Sequence, residues 1–384
     1  MRKKKRKEIR LLQVVNDAFV LPYFIGDQFE YFKKRGVIQF IACHKSEFLD
    51  KFAKKVNIPY FNIPIKRSIN PFKDLSAILK LFIIIRKYKI NYVFGHTPKG
   101  AMVAMIAAYL AGVDNRIYFR HGLVFETSNG LKKRVLMFIE RLTVKIATKV
   151  VNVSPSVLEK VKSEKIDVSK DLILSSGTCN GIDIKRFNNS KSEEVSDLLK
   201  KQLKINSDHF IVGFVGRLVR DKGIVELIEA WQILSISHPN MKLLIVGPFE
   251  KRDSISESFR RQIKSMDSII HIDFTEDVVP YYRLMSLLIL PSYREGFPTV
   301  VLEAGAMGIP AIVTKVTGCI DAVRDHITGL HIENSTEDII EKIEFYYSHP
   351  KILAIHGKQA KDYITTYFPQ ERIWREIENK LLDS

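Results

Sequence analysis

Cysteine is scarce in this sequence. Cys43, Cys179 and Cys319 are its only three, far apart and without a CxxC pair. That spacing argues against a disulfide framework and a structural zinc site, and it fits a reducing cytoplasm. Apolar runs long enough to cross a membrane are missing as well: Leu79–Ile85, for one, is far short of the roughly 20 residues a membrane-spanning helix needs. No transmembrane helix is expected. Asp-x-Asp, GxxxxGK[ST] and GxGxxG occur nowhere, so a metal bridging a diphosphate, a P-loop and a dinucleotide fingerprint are not indicated. The opening MRKKKRKEIR has a signal-like charge, but LLQVV ends at Asn16-Asp17 and is too short for a secretory core. It reads as a basic leader into a first strand.

Apolar side chains are plentiful: hydrophobic residues make up 46% of the 384, which indicates an ordered globular chain with ample core. A length beyond single-core size predicts two domains of about 180 residues each. The net charge of +17 is uneven, with 36 Lys and Arg against 15 Asp and Glu in residues 1–190 but 24 against 28 in residues 191–384. The excess in the first half implies an anionic partner: a membrane surface, a phosphorylated acceptor or nucleic acid. Seven of the first ten residues are Lys or Arg. A helical pattern over Leu131–Lys149 puts Arg134, Arg141, Lys145 and Lys149 in one stripe, with Leu131, Val135, Leu136, Phe138, Ile139, Leu142 and Ile146 as its apolar side. Such a helix either lies on anionic lipid or packs on its domain with a basic outer face.

Short β-rich runs alternate with helical patterns throughout, which predicts parallel sheets built from βαβ units. Strands are expected at 9–15, 37–43, 91–96, 116–122 and 149–154, then at 210–218, 242–247, 269–274, 287–292 and 311–316. Periodicity stops between Ser175 and Glu194, where Gly, Asn and Ser accumulate. Two doubly wound domains follow, with an interdomain cleft beyond the strand ends as the expected ligand site.

The stretch YREGFPTVVLEAGAMGIPAIV, Tyr293–Val313, sets Glu295 and Glu303 around Gly-Phe-Pro. Pro298 suits a first helical turn, and Gly308 followed by Pro310 suits its end. The amides of Thr299 and Val300 would then be free to meet phosphate, while carboxylates accept from sugar hydroxyls. The plain alternative is a dipole-favoured surface acid at Glu295 and an exposed helix residue at Glu303. Upstream, FIVGFVGRLVRDKGIVELIEAW reads as a strand, a turn with Arg217, Arg220 and Lys222, and a helix. Those cations suit phosphate oxygens.

These segments resemble the nucleotide-sugar domain of retaining glycosyltransferases with the GT-B fold, family 4, which carry Glu-x7-Glu. EGFPTVVLEAGAMGIPAIVTKVTGCIDAV matches that motif and its flanks, VGRLVRDKG matches the upstream element, and SSGTCNGIDIKRF matches the linker. The first half resembles, more loosely, the acceptor domain of the capsule and lipopolysaccharide branch through HTPKGAMVAMIAAYLAGV and YFRHG. The resemblance implies an α/β, GT-B architecture of two Rossmann-like domains facing a cleft. Residues 1–185 would bind acceptor, residues 186–365 donor, and a helix over 366–384 would cross back to the first domain.

By position, Arg217 and Lys222, beside Gly216, would bind the donor diphosphate and stabilise the leaving nucleotide. Glu303 would take the ribose hydroxyls and Glu295 the transferred sugar, helped by amides at Gly296, Phe297, Thr299 and Val300. His121 would face the donor sugar, with a loop-satisfying histidine as the structural alternative, and His96 and Lys99 would line the acceptor side. TGCID departs from the family pattern, leaving a role for Asp321 open, and LPYFIGDQFE replaces a glycine-rich turn, leaving the acceptor residues near Gly26 unassigned.

The function implied is transfer of a hexose or N-acetylhexosamine from a nucleotide sugar, UDP- or GDP-linked, to a lipid-diphosphate-linked saccharide. No metal or cofactor is expected, and the location implied is cytoplasmic, on the inner face of the plasma membrane. Two rivals stand: a UDP-sugar 2-epimerase of the same architecture, for which no acid/base pair stands out, and a non-enzymatic anion-binding protein. Basic residues interleaved with stacking aromatics, the sign of a nucleic-acid reader, are not apparent.

Overall fold

The structure, a computed structural model, describes residues 8–65, 70–188, 191–250 and 253–382. Most of the basic leader, residues 1–7, therefore lies outside the described residues. The chain divides into two compact units, one of residues up to 181 together with 371 onward, the other of residues 182–370.

Among the described residues, unit 1 is built on seven strands: β1 (Arg10–Val14), β2 (Ile38–Cys43), β3 (Tyr60–Asn62), β4 (Tyr92–His96), β5 (Asn115–Arg120), β6 (Lys149–Asn152) and β7 (Asp171–Ile173). They are parallel, in the order β3-β2-β1-β4-β5-β6-β7. The central strands are apolar on both faces, as helix-covered parallel strands must be: Leu11, Leu12, Val14, Val93 and Phe94 are fully buried. Strands β3 and β7 were not expected. With three residues each, they are too short for periodicity to register.

The pattern read as one helix over 131–149 divides. The helix is Gly130–Ile146, Ala147 turns to extended backbone, and Lys149 opens β6. Lys149 therefore leaves the predicted basic stripe. The apolar side divides: Leu131, Val135 and Phe138 are exposed and Leu136, Ile139, Leu142 and Ile146 are half-buried, while Glu140, Thr143 and Val144 are buried. Glu140 turns inward because buried Arg120 needs anions. Arg120 Nε donates to Glu140 at 2.7 Å, and its Nη1 reaches Asp171 at 2.6 Å. A buried guanidinium left unpaired is far costlier than one so held.

Unit 2 has, among the described residues, six parallel strands: β8 (Phe210–Val215), β9 (Met241–Val246), β10 (Ile269–Ile272), β11 (Leu287–Leu290), β12 (Ala311–Thr314) and β13 (Gly329–Ile332), in the order β10-β9-β8-β11-β12-β13. In each sheet the order reverses beside the first strand, between β1 and β4 and between β8 and β11. Loops diverge at these switch points and leave room for ligands beyond the strand ends.

The unit boundary falls inside the Gly-, Asn- and Ser-rich stretch. Ile182 N–H donates to Phe368 O at 2.8 Å, and Gln370 N–H donates to Ile182 O at 3.2 Å, so both chain passages leave unit 2 as a hydrogen-bonded pair. The terminal helix begins at Gln370 rather than 366, because the preceding helix Pro350–Tyr367 stops before Pro369. Residues 371–382 pack within unit 1, where Trp374 Nε1–H donates to Asn180 Oδ1 at 2.9 Å and Tyr92 O–H donates to Leu382 O at 3.0 Å. Among the described residues, no helix is long and apolar enough to cross a membrane.

Candidate functional site

The loops after β8 and β11 are tied together at the switch point of unit 2. After β8 the chain passes Gly216 and Arg217, makes a 3-10 turn at Arg220–Lys222, and enters the helix Ile224–Ser237 through Gly223. Gly223 is left-handed at φ +67°, and a Cβ there would collide with the Pro291 carbonyl oxygen. Only glycine lets the two loops approach so closely. Tyr293 N–H donates to Asp221 O at 3.0 Å and Arg294 Nη2 to Asp221 Oδ2 at 2.7 Å, fastening the loop after β11 to that turn.

This fastening brings Lys222 and Glu295 together. Lys222 Nζ pairs with Glu295 Oε1, and Ser292 O–H donates to the same oxygen at 2.8 Å. Both side chains are largely buried, so the pair is weakly screened and geometrically fixed. Both contacts fall on one carboxylate oxygen, which leaves Oε2 to other donors. Arg217, expected with Lys222 at the donor diphosphate, reaches Glu250 in the loop after β9, Nη1 to Oε2 at 2.8 Å. Glu250 was missed; it sits in a loop without periodicity or motif.

From Glu295 the chain runs through Gly296 and Phe297 to the helix Thr299–Ala306, with Pro298 at its N-cap and left-handed Gly308 after its end. The proline therefore precedes the first turn instead of occupying it. No side chain caps this N-terminus, so the amides of its first turn keep their positive end of the helix dipole. Gly318 backs Gly296 closely, since a Cβ there would collide with the Gly296 carbonyl. Glu303 follows one turn on, partly buried, and Tyr282 O–H lies 2.8 Å from its Oε2 and 3.2 Å from Val300 O. Burial pushes the Glu303 carboxyl up to about 7, against the lowering effects of Tyr282 and Arg186. Tyr282, itself fully buried, packs edge-on against Phe187 of the linker motif, ring centres 6.3 Å apart. The linker Phe thus supports the residue that holds Glu303, a link that no sequence spacing announces.

In unit 1, His121 follows the end of β5 and His96 ends β4. His121 Nε2 lies 2.9 Å from His96 Nδ1, and His96 Nε2 lies 2.8 Å from Gln13 Oε1 on β1. An amide oxygen only accepts, so His96 carries its proton on Nε2 and receives the His121 Nε2–H on its bare Nδ1. His121 Nδ1 is then bare and faces Cys179 Sγ at 3.6 Å, while the Phe24 ring stacks on the imidazole at 3.6 Å. Burial pushes His96 down to about 3, and burial together with His96 holds His121 well below 6.5. His96 is 2% exposed; it stands behind His121 and lines no surface. Lys99, on the helix Pro98–Leu110, pairs with Asp74 at 2.7 Å, both nearly buried. Gln13, Phe24 and Asp74 were not anticipated, because each gains its role only from contact between elements distant in sequence. Asp321 lies in the short helix Cys319–Ala322, and its carbonyl accepts from Tyr363 O–H at 3.1 Å. Among the described residues, no three His, Cys, Asp or Glu side chains converge to hold a metal ion.

Two family models match this chain: "Glycosyl transferase 4-like" over residues 8–154 and "Glycosyl transferases group 1" over residues 195–363. The capsular polysaccharide biosynthesis glycosyltransferase CapM of Staphylococcus aureus is 32% identical over 377 residues, 97% of each chain. A UDP-Gal:alpha-D-GlcNAc-diphosphoundecaprenol alpha-1,3-galactosyltransferase of Escherichia coli is 25% identical, covering 85% of this chain and 84% of its own. Among solved structures, Anabaena HepE with UDP and glucose superposes with a TM-score of 0.82 at 17% identity, covering 98% of this chain and 100% of that one. A UDP-GlcNAc 2-epimerase of Neisseria meningitidis, also 17% identical over 98% of this chain and 100% of its own, is more distant at 0.69.

Proposed function

This chain belongs to the glycosyltransferases and has the GT-B fold, and from that premise we propose a retaining enzyme of the family 4 type. It moves a hexose or N-acetylhexosamine from a nucleoside-diphosphate sugar, UDP-linked by preference, to a lipid-diphosphate-linked saccharide in surface-polysaccharide synthesis. The observation that carries the reading is the Lys222–Glu295 pair beside the uncapped N-terminus of helix 299–306, with Glu303 one turn along. Cation, amides and carboxylates at one switch point suit a ligand bearing both phosphates and hydroxyls. The E. coli relative's name specifies a UDP-sugar donor and a diphosphoundecaprenol-linked acceptor.

In this reading Lys222, already held by Glu295, presents its charge to the diphosphate and stabilises the leaving nucleotide as negative charge builds. Arg217 joins it by exchanging Glu250 for a phosphate oxygen. Amides at Gly296, Phe297, Thr299 and Val300 add donors, and no metal is required for the step. Glu295 accepts from a hydroxyl of the transferred sugar through Oε2, Glu303 accepts from the ribose, and His121 contacts the sugar. Neither glutamate is a nucleophile: the acceptor hydroxyl attacks on the face the nucleotide leaves, and the leaving phosphate takes its proton. Anomeric configuration is thereby retained. The protein works in the cytoplasm, peripherally on the inner face of the membrane, where its basic unit 1 meets the lipid-linked acceptor.

A donor panel of UDP-GlcNAc, UDP-GalNAc, UDP-Gal, UDP-Glc, GDP-Man and GDP-Fuc, offered with a pool of diphospholipid-linked saccharides, tests the reading. The expected result is a product heavier by one sugar, with the donor's anomeric configuration and with turnover unaffected by a chelator. Epimerised UDP-N-acetylhexosamine formed without acceptor would overturn it in favour of the epimerase reading. Salt-sensitive nucleic-acid binding without transfer would overturn it in favour of a binding protein.

A further inference from the structure

Two helices of unit 1 turn apolar side chains outward. On Pro71–Lys87, Phe72, Leu75, Leu79 and Ile83 recur at spacings of three, four and four, which is a single stripe. Phe72 is 87% exposed and the other three are each more than half exposed. The buried residues Asp74, Ala77, Ile78, Leu81 and Ile85 occupy the opposite side, so the stripe is the outermost line of the helix. Lys73, Lys80 and Lys87 run along one flank at spacings of seven. Helix Gly130–Ile146 repeats the design. Leu131, 77% exposed, is aligned with Val135 and Phe138, flanked by Arg134, Arg141 and Lys145. Helix 98–110 packs against both, and Tyr109 and Leu110 stand exposed at its end. Apolar ridges edged with cations on neighbouring helices are not the surface of a protein that meets only water.

We propose that this helical face of unit 1 seats in an anionic lipid surface, its apolar stripes entering the boundary between headgroups and acyl chains and its lysines and arginines meeting lipid phosphates. A helix lying in that boundary needs both features, apolar residues outward and cations beside them. Charge favours this occupant over a second copy of the chain, since self-association would bring Lys73, Lys80 and Lys87 against further cations. The inference rests on the reading of a lipid-linked acceptor for its purpose, and adds that attachment is partly by insertion instead of by charge alone.

Co-flotation of the full-length protein with vesicles of phosphatidylglycerol in phosphatidylcholine, and of phosphatidylcholine alone, tests it. Binding to the anionic vesicles is expected, with a measurable part surviving ~0.5 M salt, where exposed charge pairs are screened within a few ångström. The combined variant Phe72→Ser, Leu79→Ser, Ile83→Ser is expected to lose about tenfold or more in vesicle partition, equal to ~1.4 kcal/mol or more, with an unchanged thermal midpoint. The variant Lys73→Glu, Lys80→Glu, Lys87→Glu is expected to lose binding at low salt. Wild-type partition in the serine variant, or self-association abolished by the same serines without vesicle binding, would overturn the proposal. Sugar transfer to a short-chain, water-soluble acceptor separates the two claims. Normal transfer by all three proteins without vesicle binding removes this inference alone, and vesicle binding without transfer by any of them removes the functional reading alone.

Discussion

Glu303 holds its proton more tightly than an ordinary glutamate, because burial beside Tyr282 disfavours the charged form and carries its carboxyl from 4.5 to about 7. A carboxyl so raised stabilises the fold below about 4.5, and that contribution is lost as pH rises through 7. Donor binding has the opposite slope, since ribose hydroxyls donate to the ionised form. The KM for donor should therefore fall as pH rises through about 7, and Glu303→Gln should abolish that dependence and raise KM by about tenfold, the equivalent of one charge-assisted hydrogen bond. A pH series of initial rates on both proteins checks this. His121 makes a separate prediction. With His96 displaced to about 3 and His121 well below its ordinary value, nitrogen NMR of labelled histidine should show both rings neutral from about pH 6 to 8, each protonated on Nε2. Gln13→Leu removes the acceptor that fixes this tautomer, and the His96 Nε2 resonance should move.

The turn Arg220–Lys222 and the loop after β11 behave as one element, because Asp221 bonds to both Tyr293 and Arg294 while Gly223 admits the Pro291 carbonyl. Gly223→Ala would strain a left-handed residue and force the loops apart, costing about 2 kcal/mol or more in stability and separating Lys222 from Glu295. Thermal melting and donor KM should both change, whereas Gly36→Ala, with open space around its Cβ, should change only the first. The Glu295–Glu303 element was legible in the sequence because its parts are local: a strand, a Gly-Phe-Pro turn, a short helix and a stopping glycine. What could not be read was contact across elements. Glu250, Tyr282 and Gln13 reach Arg217, Glu303 and His96 through strand order, which periodicity does not specify. The sequence left the orientation of helix 130–146 open for the same reason. An apolar stripe normally marks the buried side, but here Glu140 is drawn inward by Arg120.

Both halves of the molecule repeat one plan, a parallel sheet reversing beside its first strand, and their contents divide by chemistry. Unit 2 gathers cation, amides and carboxylates at its switch point, while unit 1 gathers neutral histidines at its own and carries cations on its outer helices. Charge asymmetry between the halves was visible in composition; the outward apolar ridges were not, because a stripe on a helical wheel does not say which way it faces. The measurement that bears most directly on the whole account is sugar transfer to a diphospholipid-linked saccharide, read by product mass, for the wild type, Lys222→Ala and Glu303→Ala. The account predicts a mass gain of one sugar with the wild type and a fall of about a hundredfold in kcat/KM with Lys222→Ala, the scale of losing one preorganised contact to developing charge, with a smaller loss, through KM, for Glu303→Ala. Undiminished transfer by both variants would contradict it.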